Sequence, residues 1–528
     1  MSRIKLDRRR LLAAAGSMSL FAGFAGWRPA WGAPTFNADP FSLGVAAGDP
    51  WPDGFVIWTR LAPSPLDEHG GMPQLDVPVR WEVASDERFS TIVQSGEAVA
   101  RPELAHSVHV EVGGLQPSRP YWYRFHVEGA DASRTGMART APAAGALPPR
   151  VRLALAGCQS YPSGWYDAWR HISNEPDLDA VFHYGDYIYE SGHTGRGGIT
   201  DIAGKPVERD HIGDEIYTIG DYRRRYGLYK LDPDLQAAHA AAAFITSFDD
   251  HEVDNDWASA WDQDGTPPEI FALRKYAAMQ AWYEHQPVRK SQFPRPDIIA
   301  YRRLDYGKLF RMHVLDTRSY RTNQICDPVH PTACRTGNTP DETMLGPDQE
   351  AWLSKSLDND ARWNLIAQQV WVMPLDLVGR DGNGVIRSMD KWDGCPAARK
   401  RLVKSITDRG LKNVVIASGD AHLHLAGTVP ARDDERDGPA VATEFLGTSI
   451  SSNGDGGPRT AFARRFLDVE NPNLALAHDQ RGYQTFDITP DEWLTHIKVL
   501  EHVHAPGAPL STLARFTVLP DQPGLHRA

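Results

Sequence analysis

Residues 247–256 read SFDDHEVDND, five carboxylates in ten positions around one histidine and one asparagine. The apolar run AAAFIT leads into them and reads as a buried strand. Carboxylates crowded at a strand end repel one another and lose hydration, so they call for a cation to offset them. Similar polar clusters recur along the chain: AGCQS offers Cys158, and YGDYIYE offers Asp186 and Tyr189. LDTRSYR offers Asp316 and Arg318, and SGDAHLH offers Asp420, His422 and His424. Thiolate and phenolate suit ferric iron, imidazole suits iron or zinc, and surplus carboxylate and amide oxygens suit calcium or magnesium. Paired ions can hold a phosphoryl group and activate a water for in-line displacement. Asp186 could bridge two ions, and the planar fork of Arg318 matches phosphate oxygens.

Each cluster follows a continuous apolar run, as in VRLALAGC, LDAVFHYGD, AAFITSFDD, FRMHVLDTR and NVVIASGDAH. Helical windows lie between several of them: WYDAWRHISNE, FALRKYAAMQAWYEH, DQEAWLSKSLDN and CPAARKRLVKSITDRG. Buried strands alternating with helices predict an α/β domain with covered sheet faces, and ligands of such sheets sit beyond the carboxyl ends of the strands. The domain is expected over 150–515, with a partly helical insertion at 192–240 and a tail at 516–528. From Pro506 one weak amphipathic window suggests a short helix over the site.

Residues 40–143 have a different texture. FVIWTRLA, VPVRWEVAS, SVHVEVGGL and YWYRFHV are short β-rich runs between turn clusters, the last alternating with period two. They predict an all-β, immunoglobulin/fibronectin III-like sandwich, and GLQPSRPYWYRF resembles a fibronectin type III segment. ARTAPAAGALPPR then reads as a linker.

The formal net charge is −12; the first 32 residues carry six Lys or Arg and one Asp, so the rest stands at −17. So acidic a chain does not read as a nucleic-acid binder, because phosphate contact needs a basic surface. The N-terminal 1–33 segment has a basic region containing Arg8, Arg9 and Arg10, a mildly apolar stretch and a small-residue exit. That is the layout of a twin-arginine signal peptide. It predicts export by the twin-arginine machinery to a periplasmic or secreted location, with no transmembrane anchor. In an oxidising compartment Cys326 and Cys334 are spaced to close a disulfide.

Taken together, these motifs resemble the PhoD family of alkaline phosphatases and phosphodiesterases, which have a metallophosphoesterase core. The resemblance runs through FSLGVAAGDPWPDGFVIWTRLAP, AGCQSY, FHYGDYIYE, SFDDHEVDNDWA, LDTRSYR, QQVWVMP, WDGCPAARKRL, ASGDAHLHLAG and TEFLGTSISSNGDG. It implies one ferric ion and two calcium ions. Cys158, Asp186 and Tyr189 would ligate iron; Asp250, with Asn255 or the neighbouring Asp256, would serve the other ions; Asp420 and His422 would complete the site. His251 takes the place of a histidine that serves as general acid or phosphate contact in the related purple acid phosphatases. Cys395, where relatives carry tyrosine, is expected to pack rather than ligate, and His424 to be incidental.

The expected activity is hydrolysis of small phosphate monoesters and diesters by attack of a metal-activated hydroxide. One alternative is a strict phosphodiesterase of phospholipase D type, its 192–240 insertion shaping a groove for phosphodiester polymers or phospholipid headgroups. The other is a calcium-dependent surface binding protein.

Overall fold

The computed structural model describes residues 35–195, 198–294, 298–324, 341–377, 388–457 and 471–527. The signal segment and the Cys326–Cys334 pair therefore lie outside the described residues. Among the described residues, no helix is long and apolar enough to cross a membrane.

Two large mixed sheets face each other. At the centre of the ten-stranded sheet, Val151–Ala156, Ala180–His183, Ala243–Thr246 and Val45–Trp51 run parallel. The registers Leu153↔Ala180 and Ala180↔Ala243 bring their carboxyl ends level. The seven-stranded sheet has a parallel centre of Phe310–Val314, Trp363–Ala367, Val414–Ser418 and Ala440–Leu446. Strand residues alternate between two interiors: Val151, Leu153 and Leu155 pack between the sheets with Phe310, Met312 and Trp363. Ala154 and Ala156 turn to the opposite face, under a helical layer that includes Trp169 and Trp282. Burial on both faces is why these strands read as unbroken apolar runs. The outer face of the second sheet is covered by the helices Gly346–Ser356 and Pro396–Asp408. Within the insertion, Ile219–Lys230 and Pro233–Ala241 are helical, each opened by a side-chain cap from Thr218 and Asp232.

Two expectations need correction. The N-terminal strands do not form a self-contained sandwich: Val45–Trp51, Gly54–Arg60 and Ser107–Val112 continue the ten-stranded sheet. Only Val77–Ala84, Ile92–Ala100, Pro120–His126 and Gly136–Arg139 form a separate four-stranded sheet, packed on the others through Val45, Phe55, Val79, Tyr123 and Phe125. Alternation along a strand shows which face is buried, not which sheet the strand joins. The segment from Pro506 is not a helix, nor is 516–527, the described part of the expected tail, free. Leu510–Leu519 and Gln522–Arg527 form a hairpin on the sheet edge, with Ala514, Phe516 and Val518 turned into the core.

Candidate metal centre and active site

The parallel strand ends of both sheets deliver the polar clusters to one place. Cys158, Asp186 and His422 each bring a donor atom within 4.8 Å of the others'. So do Asp186, Asp250 and His251, and so do Asp249, Asp250 and Asp420. Asp186 and Asp250 are each shared between two groupings, so the three form one continuous site. Tyr189 joins it through its hydroxyl, 2.9 Å from Asp186 Oδ2 and 3.1 Å from His422 Nε2.

The backbone is bent to achieve this. Cys158, Asp186, Asp256, Asp420 and His422 all have φ between 53° and 68°, the left-handed region that non-glycine residues avoid at a cost on the order of 1–3 kcal/mol each. The turns are held from outside: the Cys158 N–H donates to the Gly185 carbonyl at 3.0 Å. The Tyr184 ring fits where Gly157 and Gly419 lack side chains, for a Cβ there would lie 2.3 and 2.2 Å from it.

The ten-residue acidic run is divided among different tasks. Asp250 faces the site, and its Oδ1 has no hydrogen-bond partner. Asp249 accepts from Arg318 Nε at 2.5 Å, leaving its Oδ2 without a partner. Glu252 turns away and accepts the backbone N–H groups of Asp186, Tyr187 and Asp249 at 3.0, 2.6 and 2.8 Å, tying two strand ends together. Asp254 pairs with Arg274 at 3.1 Å, outside the centre. The Asn255 side chain donates to Gln263 at 2.8 Å and is not drawn into the cluster. Asp256 is the neighbour that interacts with it: the Asp390 charge, then burial and the Asp250 charge, push its carboxyl up to about 7.

Arg318 also differs from expectation. The expected task is a phosphate contact, yet Arg318 is 0% exposed and its fork is filled. Nη1 and Nη2 donate to the two oxygens of Asp390 at 2.6 and 3.0 Å, and Nη2 also lies 3.5 Å from both Asp250 and Asp420. A buried guanidinium among four carboxylates is an internal counter-charge, not an open anion receptor. Asp316 likewise faces inward, its Oδ1 accepting the N–H groups of Arg318 and Ser319.

Several contributors were not singled out from the sequence. Asp390 and Lys391 precede WDG; Lys391 Nζ bonds Asp390 at 2.7 Å and also contacts Asp420. Ser452 Oγ is 2.6 Å from the Tyr189 hydroxyl and donates to the Cys158 carbonyl at 2.7 Å. Asn453 contacts His422 Nδ1 at 2.8 Å. Glu190, last residue of the YGDYIYE run, lies 2.7 Å from His251 Nδ1. Cys395 packs in the core beneath the second sheet, and His424, beside Gln484, belongs to none of the donor groupings.

The electrostatics are those of a site built around positive charge. Burial, followed by the Asp186 and Asp420 charges, pushes the Cys158 thiol well up. Burial likewise raises Asp186 to about 6, with His251 pulling the other way. Asp249 is driven up by burial in spite of Arg318, whereas Arg318 and His251 hold Asp250 low against the same burial. Burial also holds His422 neutral, down to about 3. Buried carboxylate oxygens without hydrogen-bond partners on Asp186, Asp249 and Asp250, beside a thiol and a phenol, fit metal cations.

Two facing mixed sheets with such a donor set beyond their parallel strand ends define a metallophosphoesterase-like hydrolase. The sequence profile of the PhoD-like phosphatases matches residues 153–497, and that of the PhoD-like phosphatase N-terminal domain matches 26–142. Alkaline phosphatase D of Bacillus subtilis (strain 168) is 41% identical over 529 residues, covering 99% of this chain and 89% of its own length. A solved structure described as "Structure of PhoD" superposes with a TM-score of 0.86 at 42% identity, over 94% of this chain and 93% of that one. The chain belongs to the PhoD-like phosphatase family and is a hydrolase of phosphoric ester bonds.

Proposed function

We propose that the chain is an exported, metal-dependent phosphatase that cleaves both phosphate monoesters and diesters. The observation that carries this reading is the convergence of Cys158, Asp186, Asp250 and His422 with unpartnered carboxylate oxygens on Asp186, Asp249 and Asp250. The donor chemistry fits one ferric ion on Cys158, Asp186, Tyr189 and His422. It fits two calcium ions on Asp186, Asp250 and Asp420, with Asp256 favoured over Asn255 as the further oxygen donor. When bound, the ions supply Lewis acidity to the phosphoryl oxygens and lower the pKa of a water.

The chain's own residues do the rest. His251 donates a proton to the leaving oxygen, because an alkoxide is a poor leaving group unless protonated. Arg318 holds Asp249, Asp250, Asp390 and Asp420 in register. Export rests on the twin-arginine sequence at Arg8 and Arg9. The same reading divides the chain into a signal over 1–33, an N-terminal unit over 40–143 and a catalytic unit from 150 onward.

The test is hydrolysis of a nitrophenyl phosphate monoester beside the matching diester, at alkaline pH, with and without a calcium chelator. Cleavage of both, abolished by the chelator, is expected. Cleavage of the diester alone would replace this reading with a strict phosphodiesterase, and chelator-resistant cleavage would refute the calcium assignment. Iron has its own readout: the Tyr189→Phe protein is expected to lose a visible charge-transfer band, and an identical spectrum would remove Tyr189 from the iron site.

A further inference from the structure

We propose that Glu215, Asp254 and Asp264 bind one calcium ion at a site apart from the candidate centre, where it clasps the insertion to the loop that follows the acidic run.

The three carboxylates arrive from separate stretches of chain. Glu215 stands in the insertion, shortly before the helix Ile219–Lys230. Asp254 lies in the buried turn that follows Asp250, and Asp264 in the exposed stretch leading to the helix Pro268–His285. Each offers an oxygen within 4.8 Å of the others'. Oxygens bound at about 2.4 Å to one calcium lie at most about 4.8 Å apart, so the spacing suits a shared ion. None of the three residues belongs to the groupings at the strand ends.

A second observation separates this cluster from ordinary surface acid. Asp254 is 1% exposed, and its Oδ2 is buried without a hydrogen-bond partner. Its Oδ1 is engaged by Arg274 Nη1 at 3.1 Å, so Oδ2 is the oxygen left for a cation. A buried carboxylate oxygen that accepts nothing is costly, and a bound ion removes that cost.

Arg274 does not supply the missing charge. Its Nη2 donates to Glu215 at 2.6 Å and its Nε to the Tyr222 hydroxyl at 3.2 Å, while the guanidinium lies over the Tyr217 ring, 4.3 Å from the centroid. Its nitrogens are committed, and Asp264 has no ion pair among the described residues. Three carboxylates against one guanidinium leave two negative charges, the charge of one divalent cation. A donor set of oxygens alone, without thiol or imidazole, suits a hard cation. Calcium is favoured over magnesium because it accepts irregular carboxylate sets and takes its remaining ligands from water, which reaches the exposed Asp264.

The position gives the ion a task. The Asp254 N–H donates to the Asp250 carbonyl at 2.8 Å, and the Tyr222 hydroxyl of the insertion donates to the Val253 carbonyl at 2.6 Å. A clasp at Asp254 therefore steadies the turn that carries Asp250 without touching the reacting atoms.

The experiment counts calcium per chain by atomic emission in the calcium-loaded holoenzyme and in its Asp264→Lys and Glu215→Gln variants. Hydrolysis of nitrophenyl phosphate is measured beside it at saturating calcium. Asp264→Lys puts an ammonium group where the ion would sit. Each variant is expected to hold one calcium fewer than the native protein, to keep its activity, and to show a smaller rise in Tm on adding calcium. An unchanged calcium count would overturn the proposal. Activity lost in step with the calcium would also overturn it, because the missing ion would then belong to the strand-end centre. Should Asp264→Lys not fold, Glu215→Gln, which keeps the shape of a partly exposed side chain, carries the same test.

Discussion

Arg318 and Asp390 meet fork to fork, Nη1 at 2.6 Å from Oδ1 and Nη2 at 3.0 Å from Oδ2, although 72 positions separate them in the chain. Both side chains are buried. The pair links the end of a strand in the second sheet to the loop before the helix Pro396–Asp408, and through Asp249 it reaches the first sheet.

Removing the guanidinium should therefore unsettle both halves of the site. Arg318→Met leaves Asp249 buried without its cationic partner, while Asp390 keeps Lys391 and Arg321, and the loss of a buried partner costs about 3–5 kcal/mol. Urea denaturation should show that drop, with activity lost in parallel. A stable Arg318→Met protein with ordinary metal content would show that Arg318 is not the counter-charge described here.

Chelation should lower thermal stability as well as activity. Cations that bind only the folded state stabilise it by mass action, and without them Asp186, Asp249 and Asp250 keep buried oxygens that accept no hydrogen bond. The expected result is a lower Tm after metal removal and recovery on adding calcium. An unchanged Tm in fully stripped protein would count against a metal-filled acidic cluster.

Gly419→Ala should damage catalysis through geometry. A Cβ there would lie 2.2 Å from the Tyr184 ring, and the next residue is Asp420. A displacement near 1 Å at a reacting site can cost about 100-fold in rate. Activity at least about tenfold down in a protein that still melts cooperatively is the expected outcome. Full activity would mean that the turn yields without moving Asp420.

His109 provides a pH test away from the site. Burial holds its imidazole down to about 4, and its Nε2 lies 2.9 Å from the carbonyls of Tyr283 and Gln286. Since its folded pKa is depressed, the unfolded chain binds the extra proton first. The contribution of neutral His109 is present above about pH 6.5 and is lost as pH falls towards 4. His109→Gln keeps a donor for both carbonyls but cannot titrate. Any stability advantage of the native protein over that variant should shrink by about 1.4 kcal/mol per pH unit across this window. An advantage that grew on acidification would contradict the assignment.

Much of the centre was legible because each ligand-type residue trails an apolar run, and parallel strands in register bring such trailing ends together. Cys158, Asp186, Tyr189, Asp250, Asp420 and His422 all trail such runs, and the structure brings them together. Arg318 joins them, but sequence does not show that its guanidinium fork is already filled by Asp390. Asp390 and Lys391 follow no apolar run, and Glu190 lies at the far end of one; their contacts come from long-range pairings that no local spacing encodes. Asn255 and Asp256 are inseparable in sequence; in the structure Asn255 bonds Gln263 while Asp256 sits in a left-handed turn, φ 54°. The sandwich boundary failed for a related reason: an alternating strand fits any sheet edge that offers an apolar face.

The continuity of the ten-stranded sheet bears on when the protein can become active. Ala47 pairs with Ala243, and Ala154, four residues before Cys158, pairs with Thr485. The first of these strands must wait for nearly 200 further residues for that neighbour, and the strand before the thiol gains its second neighbour only after more than 300. Pairings so distant in sequence make for slow folding, because loop closure precedes any contact that rewards it. A ribosome-bound fragment that ends before residue 480 would have every residue of the candidate centre and an unfinished sheet to hold them, so a metal site there would form only after the strand Gly482–Ile488 has been made.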